Sequence, residues 1–189
     1  MEFSGNSRFK GQFLIAMPGL SDPNFYRSVT CVCEHTSEGA LGIVVNRIAS
    51  RISAKDIFAE LNLEPVAQMI SSPVYLGGPV HAHEIFILHG PPFQWRGMLM
   101  ITPTLALSNT RDIIESLALG IGPKAFMIAL GCAGWGAGQL EEEIRSNSWL
   151  TCPMDEDILF HAKADRKWEA AVKKMGIDPV LLSDTAGHA

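Results

Sequence analysis

Seven side chains stand where their type and setting could do chemistry: Glu34, His35, Asn46, His89, Trp135, Gln139 and Glu143. Glu34-His35 sets an acid beside a base at the end of an alternating apolar run, next to a glycine-containing connection. His89 ends the apolar run Ile85–His89, and Asn46 ends the run from Ala40. Gln139 and Glu143 are four residues apart, so a helix sets both on one face, with Trp135 just upstream as an apolar wall. Strand ends beside glycine loops are common places for binding groups. Equally, a buried histidine often does no more than bond a backbone carbonyl. No spacing joins a nucleophile to a base, so these residues are assigned to ligand binding and none to catalysis.

Other patterns are weaker. Gly131, Gly134, Gly136 and Gly138 fall between an apolar strand and a helix, where backbone amides can cradle phosphate. No Gly-Lys-Ser/Thr follows, and Glu141, Glu142 and Glu143 at the helix start would repel an anion. The segment is expected to be a tight turn with close backbone approach. Cys31, Cys33 and His35 would share one face of an extended strand, but alternate residues lie roughly 6.5 Å apart and a fourth ligand is missing, so no metal is assigned. Cys132 stands where strand gives way to helix, without the Gly-x-nucleophile-x-Gly pattern of a nucleophile elbow. His81 and His83 follow Pro79 and are expected in an exposed loop.

The elements that must position these groups are short. Strands are expected at 12–17, 28–35, 40–46, 74–76, 85–89, 98–102, 124–130 and 149–152. The second and third of these form a hairpin across Ser37-Glu38-Gly39. Helices are expected from Ser53 to about Leu61, and from a Ser108 or Asn109 cap through Leu119, with Gly120 as the C′ residue. Further helices are expected from Gln139 to about Asn147, at 155–160 and at 166–175. Strand pairs and helices interleave without a βαβ period, which favours α+β over a doubly wound sheet.

Composition narrows the function classes. The 189 residues suffice for one domain, and 47% apolar with 19% charged excludes a disordered chain or a coiled coil. Fifteen Lys and Arg against 20 Asp and Glu give a net charge of −5, which opposes direct nucleic-acid binding. A local basic surplus at 163–174 is expected to be the solvated face of a C-terminal helix. Four cysteines without a secretory leader point to reduced thiols and a cytoplasmic address. No apolar run approaches a membrane span, and no cofactor is implied.

Taken in order, the motifs resemble a known family. Gly11–Pro18, Cys33-Glu34-His35, Glu38–Asn46, Leu76–Pro79, Phe86–His89, Ala129–Gly131, Gly134-Trp135, Gly138–Glu141, Glu143-Ile144, Trp149-Leu150 and Gly187–Ala189 are similar to the AlgH/YqgE family of bacterial proteins. The resemblance covers essentially the whole chain as one domain, 1–189, with 1–9 expected to be a poorly ordered N-terminus. It implies a branched or barrel-like mixed β-sheet surrounded by helices. It implies no established activity, although the family's name suggests a transcriptional-regulator role. The resemblance implies that relatives often carry aromatic residues where Cys31 and Cys132 stand and a small residue at Cys152, which undercuts thiol chemistry. It also implies that an acidic-Arg pair often stands where this chain has His83-Glu84, so His81 and His83 are given no role. The expected function is a non-catalytic binding or adaptor protein with an unknown protein or small-molecule partner and, at most, an indirect regulatory role in transcription. The alternatives are an enzyme using a cleft of glycine-rich strand ends, or nucleic-acid binding through the basic C-terminal helix.

Overall fold

The glycine segment does not turn where the sequence suggested. The computed structural model describes residues 8–182, and in it the strand from Phe126 runs on through Gly136. Nine strands form one open sheet: β1 (Gln12–Ala16), β2 (Val29–Thr36), β3 (Gly39–Val44), β4 (Val74–Leu76), β5 (Val80–His89), β6 (Leu99–Thr102), β7 (Leu105–Ser108), β8 (Phe126–Gly136) and β9 (Trp149–Pro153). Around it lie α1 (Ala54–Glu60), α2 (Ala67–Ile70), α3 (Arg111–Ala118), α4 (Gln139–Arg145) and α5 (Lys167–Lys174). Expectations for residues 1–7 and for the closing Gly187–Ala189 motif lie outside the described residues.

The strand order is β6-β7-β5-β8-β3-β2-β1-β9, with β4 added to β8. The sheet is therefore branched and mixed: β8 pairs antiparallel with β5 and β3 and parallel with β4. This is the expected α+β class. Branching at β8 demands that two chain segments pass closer than side chains allow. A Cβ on Gly77 would lie 2.3 Å from the Gly131 oxygen, and one on Gly78 would lie 2.3 Å from the Cys132 carbonyl. A Cβ on Gly131 (φ +71) would lie 2.4 Å from the Gly78 oxygen. The Leu76–Pro79 and Gly131 motifs are the two sides of this crossing. Close approach was expected here, but of a crossing strand and not of a turn. The turn itself is only Ala137-Gly138.

Three apolar layers follow. Phe13, Ile15 and Cys31 from one half of the sheet meet Leu88, Leu105 and Met127 from the other, closed by Trp168 and Val172 of α5. Ile57, Phe58, Ile113 and Leu117 of α1 and α3 cover Val74, Ile87 and Ile128. Leu140 of α4 covers Leu14, Val32, Ala133 and Trp135. Helix starts behave as their residues dictate. Ser53 and Asp56 form a capping box on α1. The expected Ser108 or Asn109 cap of α3 gives way to Thr110, because Ser108 is still in β7. Gly120 has φ +71, as a C′ residue should.

Gly131→Ala adds both an unfavourable φ and a backbone clash, whereas Gly138→Ala (φ +73, nothing within 4 Å) adds only the former. Urea unfolding should show a loss of about 1 kcal/mol for Gly138→Ala and about 3 kcal/mol or more for Gly131→Ala.

Candidate functional site

Trp135, Gln139 and Glu143 do come together, around a carboxylate. Glu143 Oε2 accepts from the indole N–H of Trp135 at 2.9 Å and of Trp149 at 2.8 Å. Its Oε1 accepts from Gln139 Nε2 at 2.8 Å, and Gln139 Oε1 accepts from the Gly136 amide at 3.0 Å. The Phe25 ring lies 6.2 Å from Trp135 and 5.4 Å from Trp149. The helical spacing seen in the sequence is real, but its product is a clamp joining α4 to β8 and β9.

His35 is buried beside this clamp and Glu34 is exposed. Residue 33 is an extra residue in β2: Val32 pairs with Gly42 and Glu34 with Leu41. Beyond this bulge the alternation is reversed. Cys31 and Cys33 face the inner core, while His35 turns to the opposite side, 5.1 Å from the Phe9 ring. The one-face expectation for these three residues therefore fails. His35 Nε2 donates to Glu141 Oε1 at 2.9 Å, and Nδ1 has no partner among the described residues. Burial pushes the thiols of Cys33, Cys132 and Cys152 upward, away from nucleophilic thiolate. Among the described residues no three His, Cys, Asp or Glu gather as a metal site.

His89 sits elsewhere, in a box of Trp95 and Phe93. Its Nδ1 donates to the Gly90 carbonyl at 2.8 Å, and Nε2 accepts from Ser108 at 3.0 Å. Burial lowers its pKa, so the ring is a neutral core histidine. Asn46 bridges two backbone groups: Oδ1 accepts from Val29 N at 2.8 Å, and Nδ2 donates to Arg27 O at 2.9 Å.

Asn46 also lines a groove of about 530 Å³ with Ile48, Tyr75, Ala162, Lys163, Ala164 and Asp165. A second cleft, of about 290 Å³, lies between α1 and the irregular start of β5, and Asp56, Glu60 and His83 line it. A third, of about 360 Å³, lies at the end of α3. Of the seven predicted residues, Asn46 alone lines any of these three.

Behind the groove is a residue that the sequence reading missed. Lys167 is 1% exposed; its ammonium donates to Val45 O at 3.0 Å and Leu159 O at 2.6 Å and stands 4.9 Å from the Tyr75 ring centroid. Burial lowers its pKa to about 8. The expected solvated face is therefore corrected at this residue. The signal was present: Lys167 lies four residues before buried Ala171 and beside buried Trp168, on the apolar stripe of α5.

Comparison with known proteins agrees with this architecture. The AlgH-like family matches residues 13–180. The chain belongs to the AlgH-like family. A UPF0301 protein of Desulforapulum autotrophicum is 47% identical over 180 residues, 95% of each chain. One of Thioalkalivibrio sulfidiphilus is 46% identical over 186 residues, 98% of this chain and 100% of its own. The solution structure of AlgH from Pseudomonas aeruginosa covers both chains fully with a TM-score of 0.79 at 39% identity. A Corynebacterium diphtheriae protein shares the fold at 18% identity, with a TM-score of 0.71 over 92% of this chain and 90% of its own. Several motifs by which the AlgH-like family is recognised here are thus the glycine crossing and the Glu143 clamp.

Two outcomes follow from these geometries. Glu143→Leu strands two indole N–H groups, so it should cost about 2–4 kcal/mol by urea unfolding and shift tryptophan fluorescence, with Glu143→Gln milder. Lys167 has a folded pKa of about 8 against 10.5 unfolded, so the unfolded chain binds more protons between those values. Stability therefore rises with pH across that window, by about 3 kcal/mol in full. Unfolding titrations at pH 7 and pH 10 should show that slope in the parent and its loss in Lys167→Met.

Proposed function

We propose that the chain is a non-catalytic binding protein whose recognition surface is the groove beside Asn46. The observation that carries this reading is the contrast between that groove and the motif residues. His89, Asn46, Gln139 and Glu143 direct their polar atoms at partners inside the fold. The groove instead presents exposed Ile48, together with Lys163 and Asp165, which have no ion pair among the described residues. A surface of apolar and unpaired charged groups suits recognition, and an adaptor role follows if occupancy alters a partner's access. We place the protein in the cytoplasm, a reading supported by four free, buried cysteines. No helix among the described residues is long and apolar enough to cross a membrane.

Native mass spectrometry of the chain after incubation with a small-molecule cell extract tests this. A retained molecule of unchanged mass is expected, lost in Ile48→Glu at unaltered thermal midpoint. Conversion of the molecule to a product would overturn the non-catalytic reading.

A further inference from the structure

We propose that this groove takes a small organic anion, a carboxylate carried on a short apolar body. The inference rests on the reading of the groove as the binding site and goes on to name the chemistry of its occupant. The apolar half is set by Ile48, 53% exposed, with the Tyr75 ring and the methyls of Ala162 and Ala164. Ala162 and Lys163 are extended (ψ 143 for both), so this wall is open backbone between the helical turn that ends at His161 and the one that begins at Ala164.

The charged half is asymmetric. Lys163 lines the groove, and Lys167 stands behind Tyr75. Two of the Lys167 N–H groups reach carbonyls and the ammonium also faces an aromatic ring, so none of these contacts is a carboxylate. A cation in that setting projects its field through protein instead of water, where screening is weak. Arg27 lies over Trp168, the neighbour of Lys167, at 4.4 Å, and Arg47, between the lining residues Asn46 and Ile48 in the chain, donates to the carbonyls of Pro23 and Tyr26 at 2.9 and 3.0 Å. Against these four cations stand Asp165 in the groove and Asp22 near Arg47. The lining itself carries one cation, Lys163, and one carboxylate, Asp165, so the balance of charge rests on the cations named behind and beside it, in a chain whose net charge is −5. An anion gains from this arrangement, and an ammonium of the same shape meets repulsion that Asp165 and Asp22 relieve in part.

Titrations of the full chain with sodium octanoate and with octylammonium chloride at pH 7 and equal ionic strength, followed by amide NMR, test the proposal. Octanoate should shift the amides of Asn46, Ile48, Tyr75 and residues 162–165, and bind about tenfold more tightly than octylammonium. Lys163→Glu, at a surface position, should abolish the preference, and Asp165→Asn should raise octanoate affinity about two- to fivefold. Circular dichroism confirms that both variants fold. Equal affinity of the two amphiphiles at those amides overturns the charge assignment while the groove stands as a binding site. Absence of shifts there with either probe overturns the groove reading itself and the proposal with it.

Discussion

Two stretches of backbone crossing at Gly77-Gly78 and Gly131-Cys132 are the constraint on which the rest depends. Any side chain at these glycines would overlap a carbonyl of the other segment. With the crossing in place, β8 can continue for eleven residues and serve three neighbours in succession. That continuity gives the sheet two halves inclined around a common interior, leaving separate outer faces for α1 and α3 on one half and α4 on the other. The floor of the groove is a by-product of the same crossing: Tyr75 is held between its pairing with Ala129 and the bridge to Ile48.

The polar groups that look most chemical are largely wiring. A carboxylate that accepts three N–H donors, as Glu143 does, is costly to mismatch in a partly dry site. Such networks select one arrangement of helix on sheet over neighbouring ones that bury the same apolar area. Motif residues so used leave recognition to plainer side chains, here an isoleucine, a tyrosine and a lysine.

Local patterns carried the sequence reading far. Turn residues and apolar alternation located most strands to within a residue or two, and Gly120 marked the end of α3. The reading failed where long-range contact overrode local preference. The four residues of β7, after a tight turn, carry too little pattern to announce a strand, and the glycines of 131–136 permit both turns and crossings. For the site, residue types and the Gln139–Glu143 spacing were legible. The His35–Glu141 pair, 106 residues apart, was not, since helix packing alone creates it. The burial of Lys167 is masked in the sequence because a lysine in a basic stretch is ordinarily solvated, and only its position on the apolar stripe signals otherwise.

The extra residue at Cys33 makes the hairpin a counting device. Upstream of it odd-numbered positions of β2 face the interior; downstream they face α4. Were Cys33 paired regularly instead of standing out of the ladder, Glu34 would turn to α4 and His35 to the interior; the extra residue keeps Val32 and His35 on one face. The bulge, and not the alternation of residue types along the strand, thus decides which of the two neighbours meets α4.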